Sequence, residues 1–576
     1  MRGDAYMFPT SRKEVEALGW DYIDIIFFTG DAFVDHPSFG TAAISRWLQK
    51  FGYRIAIVPQ PNWRDDLRDF KKLGTPRLYF AVNAGAMDSM VNHYTAAKRL
   101  RSDDAYTPNG EAGKRPDYAV TVYTKILKKL YPDIPVIIGG VEASLRRLTH
   151  YDYWQDKLFP SILVSSGADY LSYGMGEKAM LELTKGIEAQ RNPHEIRKIP
   201  QIAFYMSGKP KIKEGILELH SFEDCLAHKK DLAENFHEIE THANMMHPST
   251  IVEGCGDGYV QVNPPFPPAT TEEMDSYWDL PYTKMPHPRY KGKRIPAYDM
   301  IKFSINTHRG CFGGCNFCTI AAHQGKFIQS RSEKSILKEV TALRTVPGFT
   351  GNISDLGAPT ANMYGMHGRT LKACDVCRRK SCLFPSACPN LDRSHARLLK
   401  LYDDVSRIKG IRHAYIGSGI RYDLFLDEKK GFVDETSAPY LRELILDHTS
   451  GRLKVAPEHT EDKVLHYMGK PSFRLFERLR SEFDRITAAA GRRTELVPYF
   501  ISSHPGCTMQ DMCKLASNPA LKGLYMDQVQ DFTPTPMTTS SVMFYTGLDP
   551  RDMKPVFVER NPEKKKMQKS FFFKRK

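Results

Sequence analysis

From residue 21 to residue 28 the chain reads Asp-Tyr-Ile-Asp-Ile-Ile-Phe-Phe, an apolar, β-branched run. A polar, glycine-bearing loop to Gly40 follows, then a helical stretch to about Lys50 and a second apolar run at 53–58. The pattern is strand, helix, strand. Further strand-like runs lie at 77–82, 135–138 and 169–173, with helical periodicity between several of them, including 120–131. Such alternation predicts an α/β fold built on a mostly parallel sheet with helices on both faces, over residues 1–190. Ligands of such sheets sit at the carboxyl ends of the strands, which here are the loop 29–40 and the turns 139–144 and 174–177. Asp31, Asp35 and His36 place three ionisable side chains at one of those ends and are candidates for substrate contact.

Periodicity weakens over 191–295. A helix is expected over about 222–245, opened by Ser221 with Asp224 three residues on as a capping box, and the proline-rich remainder should run extended. This segment reads as a helical and proline-rich connector. Strand and helix patterns then resume. Residues 301–306 read as a strand, and Ser332 opens a helix with Ile336, Leu337, Val340 and Leu343 on one face. Later strand candidates at 352–355, 414–418, 453–456, 496–501 and 526–532 bring the count to six βα units over 296–550.

Charge changes the picture at one end only. The chain of 576 residues carries a formal net charge of +14. The segment 560–576 contributes eight Lys and Arg against one Glu, half of that excess. Residues 551–576 are therefore expected to form a basic tail lacking core periodicity, with Phe571, Phe572 and Phe573 available to RNA, an acidic partner or a membrane surface. No apolar run of about 18 residues and no signal-type segment is present, so a cytoplasmic protein without a membrane span is expected.

Seven of the eleven cysteines fall in two groups. Cys311, Cys315 and Cys318 have C-x3-C-x2-C spacing in a loop containing Gly310, Gly313 and Gly314, where the backbone can wrap tightly. Three thiolates can hold an iron–sulfur cube while leaving one iron open to a small molecule; a zinc knuckle would need a fourth ligand. Cys374, Cys377, Cys382 and Cys388 form a second group, sufficient for a closed zinc site or an auxiliary iron–sulfur cluster.

The first loop, with Phe317 before its third cysteine, resembles the signature of radical S-adenosylmethionine (SAM) enzymes. The words SINTHRGCFGGCNFC, SDLGAPTANMYG, GSGIRYDL, KVAPEHTEDKVLHYMGKP and QDFTPTPMTTSSVMFYTG resemble the YgiQ-type members over nearly the whole chain. The resemblance implies a Rossmann-like N-terminal domain followed by a partial (β/α)6 TIM-type barrel. It also implies a [4Fe–4S] cluster on the three cysteines, SAM on the open iron, and a one-electron reductase of flavodoxin or ferredoxin type. Asp355, Leu356 and Gly357 resemble the segment that binds the SAM amino group. Ser418, Arg421, Glu458 and His459, at later strand ends, are candidates for cofactor or substrate contact. The N-terminal layout is similar to a cobalamin-binding domain. However, the D-x-H-x-x-G ligand motif is absent, since Val34 stands two before His36 and Gly40 four after it, and this argues against cobalamin. The substrate is not named by the resemblance. Likeness of the MGKP and PTP words to methylthiotransferases makes RNA a candidate, and a non-catalytic RNA-binding protein with two zinc knuckles is the competing reading.

Overall fold

The computed structural model describes residues 6–572 except 212, 213 and 527. Its N-terminal half is organised by a nine-stranded mixed sheet. Strands β1 (Ile25–Thr29), β2 (Ile55–Pro59), β3 (Tyr79–Asn83), β4 (Val136–Gly139) and β5 (Tyr170–Ser172) are parallel. Helix α1 (Gly40–Gln49) crosses from β1 to β2, and α2 (Ala119–Leu130) precedes β4. Ile25 and Phe27 enter one core with Ile55, Tyr79 and Ile137, whereas Ile26 and Phe28 enter the opposite core with Val58, Phe80 and Ile138. Both faces are covered, which is why the strands read as unbroken apolar runs rather than alternations.

Residues 191–295 do more than connect. Strands β6 (Ile202–Ser207), β7 (Ile216–Leu219), β8 (Thr250–Cys255) and β9 (Gly258–Val262) extend the sheet, giving the order β2-β1-β3-β4-β5-β6-β9-β8-β7. β6 joins β5 antiparallel, and β9 joins both β6 and β8 antiparallel. The expected helix is capped by Ser221 and Asp224 as predicted, but His228 leaves helical geometry and splits it into two pieces, 222–227 and α3 (Lys229–Ala243).

In the C-terminal half β10 (Ser304–Asn306) pairs in parallel with β12 (Asp355–Gly357), and β11 (Asn352–Ile353) with β13 (His413–Ala414). A second parallel group runs β14 (Arg452–Glu458), β15 (Glu495–Ser502), β16 (Gln528–Asp531). Ile305, Ile353, Leu356, Leu453, Leu496 and Phe500 share one core with the helices around them.

The expected basic tail is not free of the fold. Its helix α4 (Pro562–Ser570) buries Lys565 and Gln568, the Gln568 Oε1 accepts from the Ser503 amide at 3.0 Å, and Phe572 stacks on Phe500 with ring centroids 5.8 Å apart. Lys565 also reaches the Tyr153 hydroxyl and Lys569 pairs with Asp531, anchors that are mostly polar and so do not register as apolar periodicity. Phe573 and residues 574–576 lie outside the described residues.

Candidate metal centre and cofactor site

The cysteine loop leaves the carboxyl end of β10. Gly313 and Gly314 are required there: a Cβ at Gly313 would stand 2.6 Å from Arg421 Nη1, and one at Gly314 2.5 Å from the Ser381 Cβ. The loop is thus clasped between the segment after β13 and the second cysteine group. Arg421 Nη1 donates to Cys315 Sγ at 3.2 Å, its Nε donates to Asp423 Oδ1 at 2.9 Å, and Cys311 Sγ lies 3.4 Å from Thr360 Oγ1. Burial pushes the Cys318 thiol up to about 12, with Cys315 and Cys311 adding to the shift. Cys311 is likewise raised by burial, against a hydrogen bond from Thr360. Cys311 and Cys318, which burial keeps from ionising, are donors that a bound cationic centre would stabilise as thiolates.

Glu458 is drawn into this group. It ends β14 at an irregularity in the pairing with β15 and has φ +69°, left-handed geometry that costs a non-glycine residue about 1 kcal/mol or more. Its carboxyl is buried and raised, opposed by Lys470 3.9 Å away and by Arg421. Asp355 and Ser418 engage each other: the Asp355 carboxylate accepts from the Gly417 and Ser418 amides at 2.8 and 3.0 Å and from the Ser418 hydroxyl. Gly357 lets them close, since a Cβ there would be 2.7 Å from both side chains. Phe317 packs edge-on against His504 at 6.2 Å. His459 is turned elsewhere, its Nδ1 accepting from the Glu461 amide and its Nε2 3.5 Å from Cys507 Sγ. Thr360, Asp423 and Lys470 had no signal in the sequence beyond polarity, because each reaches the site by tertiary packing alone.

The second group is stapled to the first. The Ser381 hydroxyl donates to the Phe312 and Gly313 carbonyls at 3.1 and 2.9 Å, and the Cys382 amide donates to the Phe312 carbonyl at 3.1 Å. Lys326 Nζ stands 3.9 Å from Cys377 Sγ. Burial raises Cys382 to about 11, with Cys388, Cys377 and Cys374 adding to the shift and Lys326 opposing it, so the four thiols converge. Among the described residues only His220, Asp231 and Glu234 gather three donor atoms within 4.8 Å.

Asp31 and Asp35 do not face the cysteine loop as ligands. Asp31 pairs with Arg115 at 2.8 Å and Asp35 with Arg46, both inside the domain. His36 is 1 % exposed, its Nδ1 accepts from the Ser38 amide, and burial lowers it to about 3. The space at the strand ends is instead a cavity of about 370 Å³ lined by Ser38, Asn83, Gly140, Gly176, His308 and Arg309, among others. It lies between the N-terminal sheet and the start of the cysteine loop.

The family described as Radical SAM N-terminal matches residues 7–304, and a domain of unknown function, DUF3362, matches residues 527–575. With the cysteine loop, this defines an enzyme of the radical SAM class. The chain belongs to the UPF0313 family: it is 54 % identical to a UPF0313 protein of Bacteroides thetaiotaomicron, over 98 % of this chain and 93 % of that protein, and 42 % identical to the UPF0313 protein YgiQ of Escherichia coli, over 99 % and 84 %. In fold it resembles the radical SAM methyltransferase TsrM from Kitasatospora setae, solved with cobalamin and a [4Fe–4S] cluster bound; the TM-score is 0.50 and the identity 13 %, over 91 % of this chain and 74 % of that one. That neighbour corrects the expectation about cobalamin. The broken motif at Val34, His36 and Gly40 argued against the cofactor, yet a protein of similar fold was solved with cobalamin bound. Among the described residues no helix is long and apolar enough to cross a membrane.

Proposed function

We propose that Cys311, Cys315 and Cys318 bind a [4Fe–4S] cluster and that the chain reductively cleaves SAM, with residues 296–550 serving as a partial (β/α)6 barrel. The C-x3-C-x2-C loop clasped by Arg421, which donates to Cys315, and by Thr360, beside Cys311, carries this reading. Such a cluster supplies the electron that splits the sulfonium into methionine and a 5′-deoxyadenosyl radical, which takes hydrogen from the substrate. The chain's own residues do the rest. Arg421 offsets the negative charge of the thiolates, Glu458 and Lys470 place a buried acid and amine beside them, and the Asp355–Ser418 pair holds two strand ends together at the rim. Cys374, Cys377, Cys382 and Cys388 offer four thiols to a second centre, a closed zinc site or an auxiliary cluster, that braces the loop through Ser381.

The cavity at the sheet's strand ends is the candidate place for a corrinoid. His308 Nε2, buried without a hydrogen-bond partner among the described residues, lines it. Titration of the purified protein with hydroxocobalamin, followed by its visible spectrum, tests this.

Anaerobic reconstitution tests the main reading. The protein should take up iron and acid-labile sulfide and, once reduced, convert SAM to methionine and 5′-deoxyadenosine without substrate. Ala at any one of Cys311, Cys315 or Cys318 should abolish the conversion. Wild-type turnover in one such variant, or zinc as the metal in both cysteine groups, would exclude the assignment.

A further inference from the structure

A second, larger cavity, about 840 Å³, opens where the two halves of the chain meet at α4. Six of its lining residues are Lys98, Arg99, Arg101, Arg560, Lys565 and Lys566. None of the six has a carboxylate partner among the described residues. Elsewhere Arg46 is matched by Asp35, Arg115 by Asp104 and Arg331 by Glu339, whereas the buried Arg147, with no carboxylate partner among the described residues, lies over the Tyr173 ring. Of the three acids of the cavity wall, Asp531 accepts from Ser502 and pairs with Lys569, Asp156 accepts from the Tyr151 hydroxyl, and Glu563, in the first turn of α4, makes no ion pair with any of the six.

Lys565 is the most telling of the six. It is 8 % exposed, its ammonium's one hydrogen bond among the described residues is to the Tyr153 hydroxyl at 3.2 Å, and it lies 5.2 and 5.4 Å from the ring centres of Tyr153 and Phe544. Burial lowers its pKa, Lys98 lowers it further, and Asp531 opposes them. Rings return only part of the solvation a buried ammonium loses. Cations drawn from two distant segments, 98–101 and 560–566, repel one another across the cavity unless a ligand carries several negative charges between them. A single carboxylate would satisfy one of them. Phosphate groups suit forked and point donors together, and the volume lies within the range of small-molecule sites, about 300–1,000 Å³.

We propose that this cavity binds a nucleoside phosphate, either as a free nucleotide or as a segment of RNA. The site stands apart from the cluster reading and does not depend on it. The phosphates lie among Arg99, Arg101, Lys566 and Lys565, and the sugar and base lie toward the aromatic wall of Tyr151, Tyr153 and Phe544. A bound ligand bridges the N-terminal loop and α4, tying the two halves together.

The test is fluorescence anisotropy of a labelled hexaribonucleotide on the full chain at about 50 mM salt, with ATP, inorganic triphosphate and adenosine as competitors. Wild type should bind the probe, ATP and triphosphate should displace it, and adenosine should not. The exposed double substitution R99E/R101E should weaken binding about tenfold or more and steepen no other transition. Lys565→Met should weaken it comparably while leaving the thermal midpoint within a few degrees. Displacement by ATP at concentrations equal to those of unlabelled RNA nucleotides identifies a free nucleotide as the ligand; affinity that grows with oligonucleotide length identifies a strand. Absence of binding by any phosphate probe, unchanged affinity in R99E/R101E, or displacement by adenosine as effective as by ATP would overturn the proposal.

Discussion

Asp35→Asn separates a structural role from a ligand role for the loop after β1. The Asp35 carboxylate meets Arg46 through two hydrogen bonds, at 3.0 and 2.5 Å, and both side chains are 0 % exposed. The same carboxylate accepts from the Thr283 amide at 2.8 Å, and the guanidinium donates to the Tyr6 carbonyl at 2.9 Å and lies over Phe8. Three segments distant in sequence thus close on one ion pair. Asn keeps the shape but leaves a buried guanidinium without its counter-charge, and breaking a buried pair from one side costs about 3–5 kcal/mol. At about 1.4 kcal/mol per tenfold, local opening becomes roughly a hundredfold to a few thousandfold more frequent. Hydrogen exchange by mass spectrometry on peptides from β1 and α1 should show that acceleration, with peptides of β14 and β15 unchanged. The apolar pair Asp35→Leu/Arg46→Met should return most of the protection, because it removes both charges together. If exchange in Asp35→Asn accelerated less than about tenfold while substrate turnover fell, Asp35 would be a ligand after all.

Phe572→Ala should destabilise the C-terminal half by about 3 kcal/mol, read as earlier urea unfolding of β15 and β16, because the ring is buried against Phe500; full retention of stability would show that α4 is an appended tail. Glu253 supplies a pH test. Burial raises its carboxyl to about 7, so the folded chain keeps a proton that the unfolded chain releases from about pH 4.5 upward. Stability is therefore present below that value, is lost as pH rises through about 7, and levels above it; Glu253→Gln should remove about 3 kcal/mol of that decline, and an unaltered difference between urea midpoints at about pH 5 and 8 would refute it.

Much of the molecule was already legible as a string. The apolar run at 25–29 had to be a doubly buried strand, the C-x3-C-x2-C loop had to gather three thiols, and Ser221 with Asp224 had to start a helix, since each depends on neighbours within a few residues. The six C-terminal strand segments were readable for the same reason, although several shortened to two or three residues in the fold. What only the tertiary structure decided are the partnerships between distant residues. Arg421 meets Cys315 across 106 positions, Asp35 meets Thr283 across 248, and Lys565 meets Tyr153 across 412. A polar side chain carries no mark of whether it will face a ligand, a counter-ion or water. Asp35 and Glu458 both stand at strand ends, yet one is neutralised by an arginine on the helix that follows it and the other is turned toward the cysteines by a left-handed backbone. The basic C-terminus, read as a tail lacking core periodicity, is held by Lys565 on Tyr153, Gln568 on Ser503, Lys569 on Asp531 and the Phe572 ring on Phe500. Mostly polar anchors leave no apolar period to detect, and each partner lies far away in sequence.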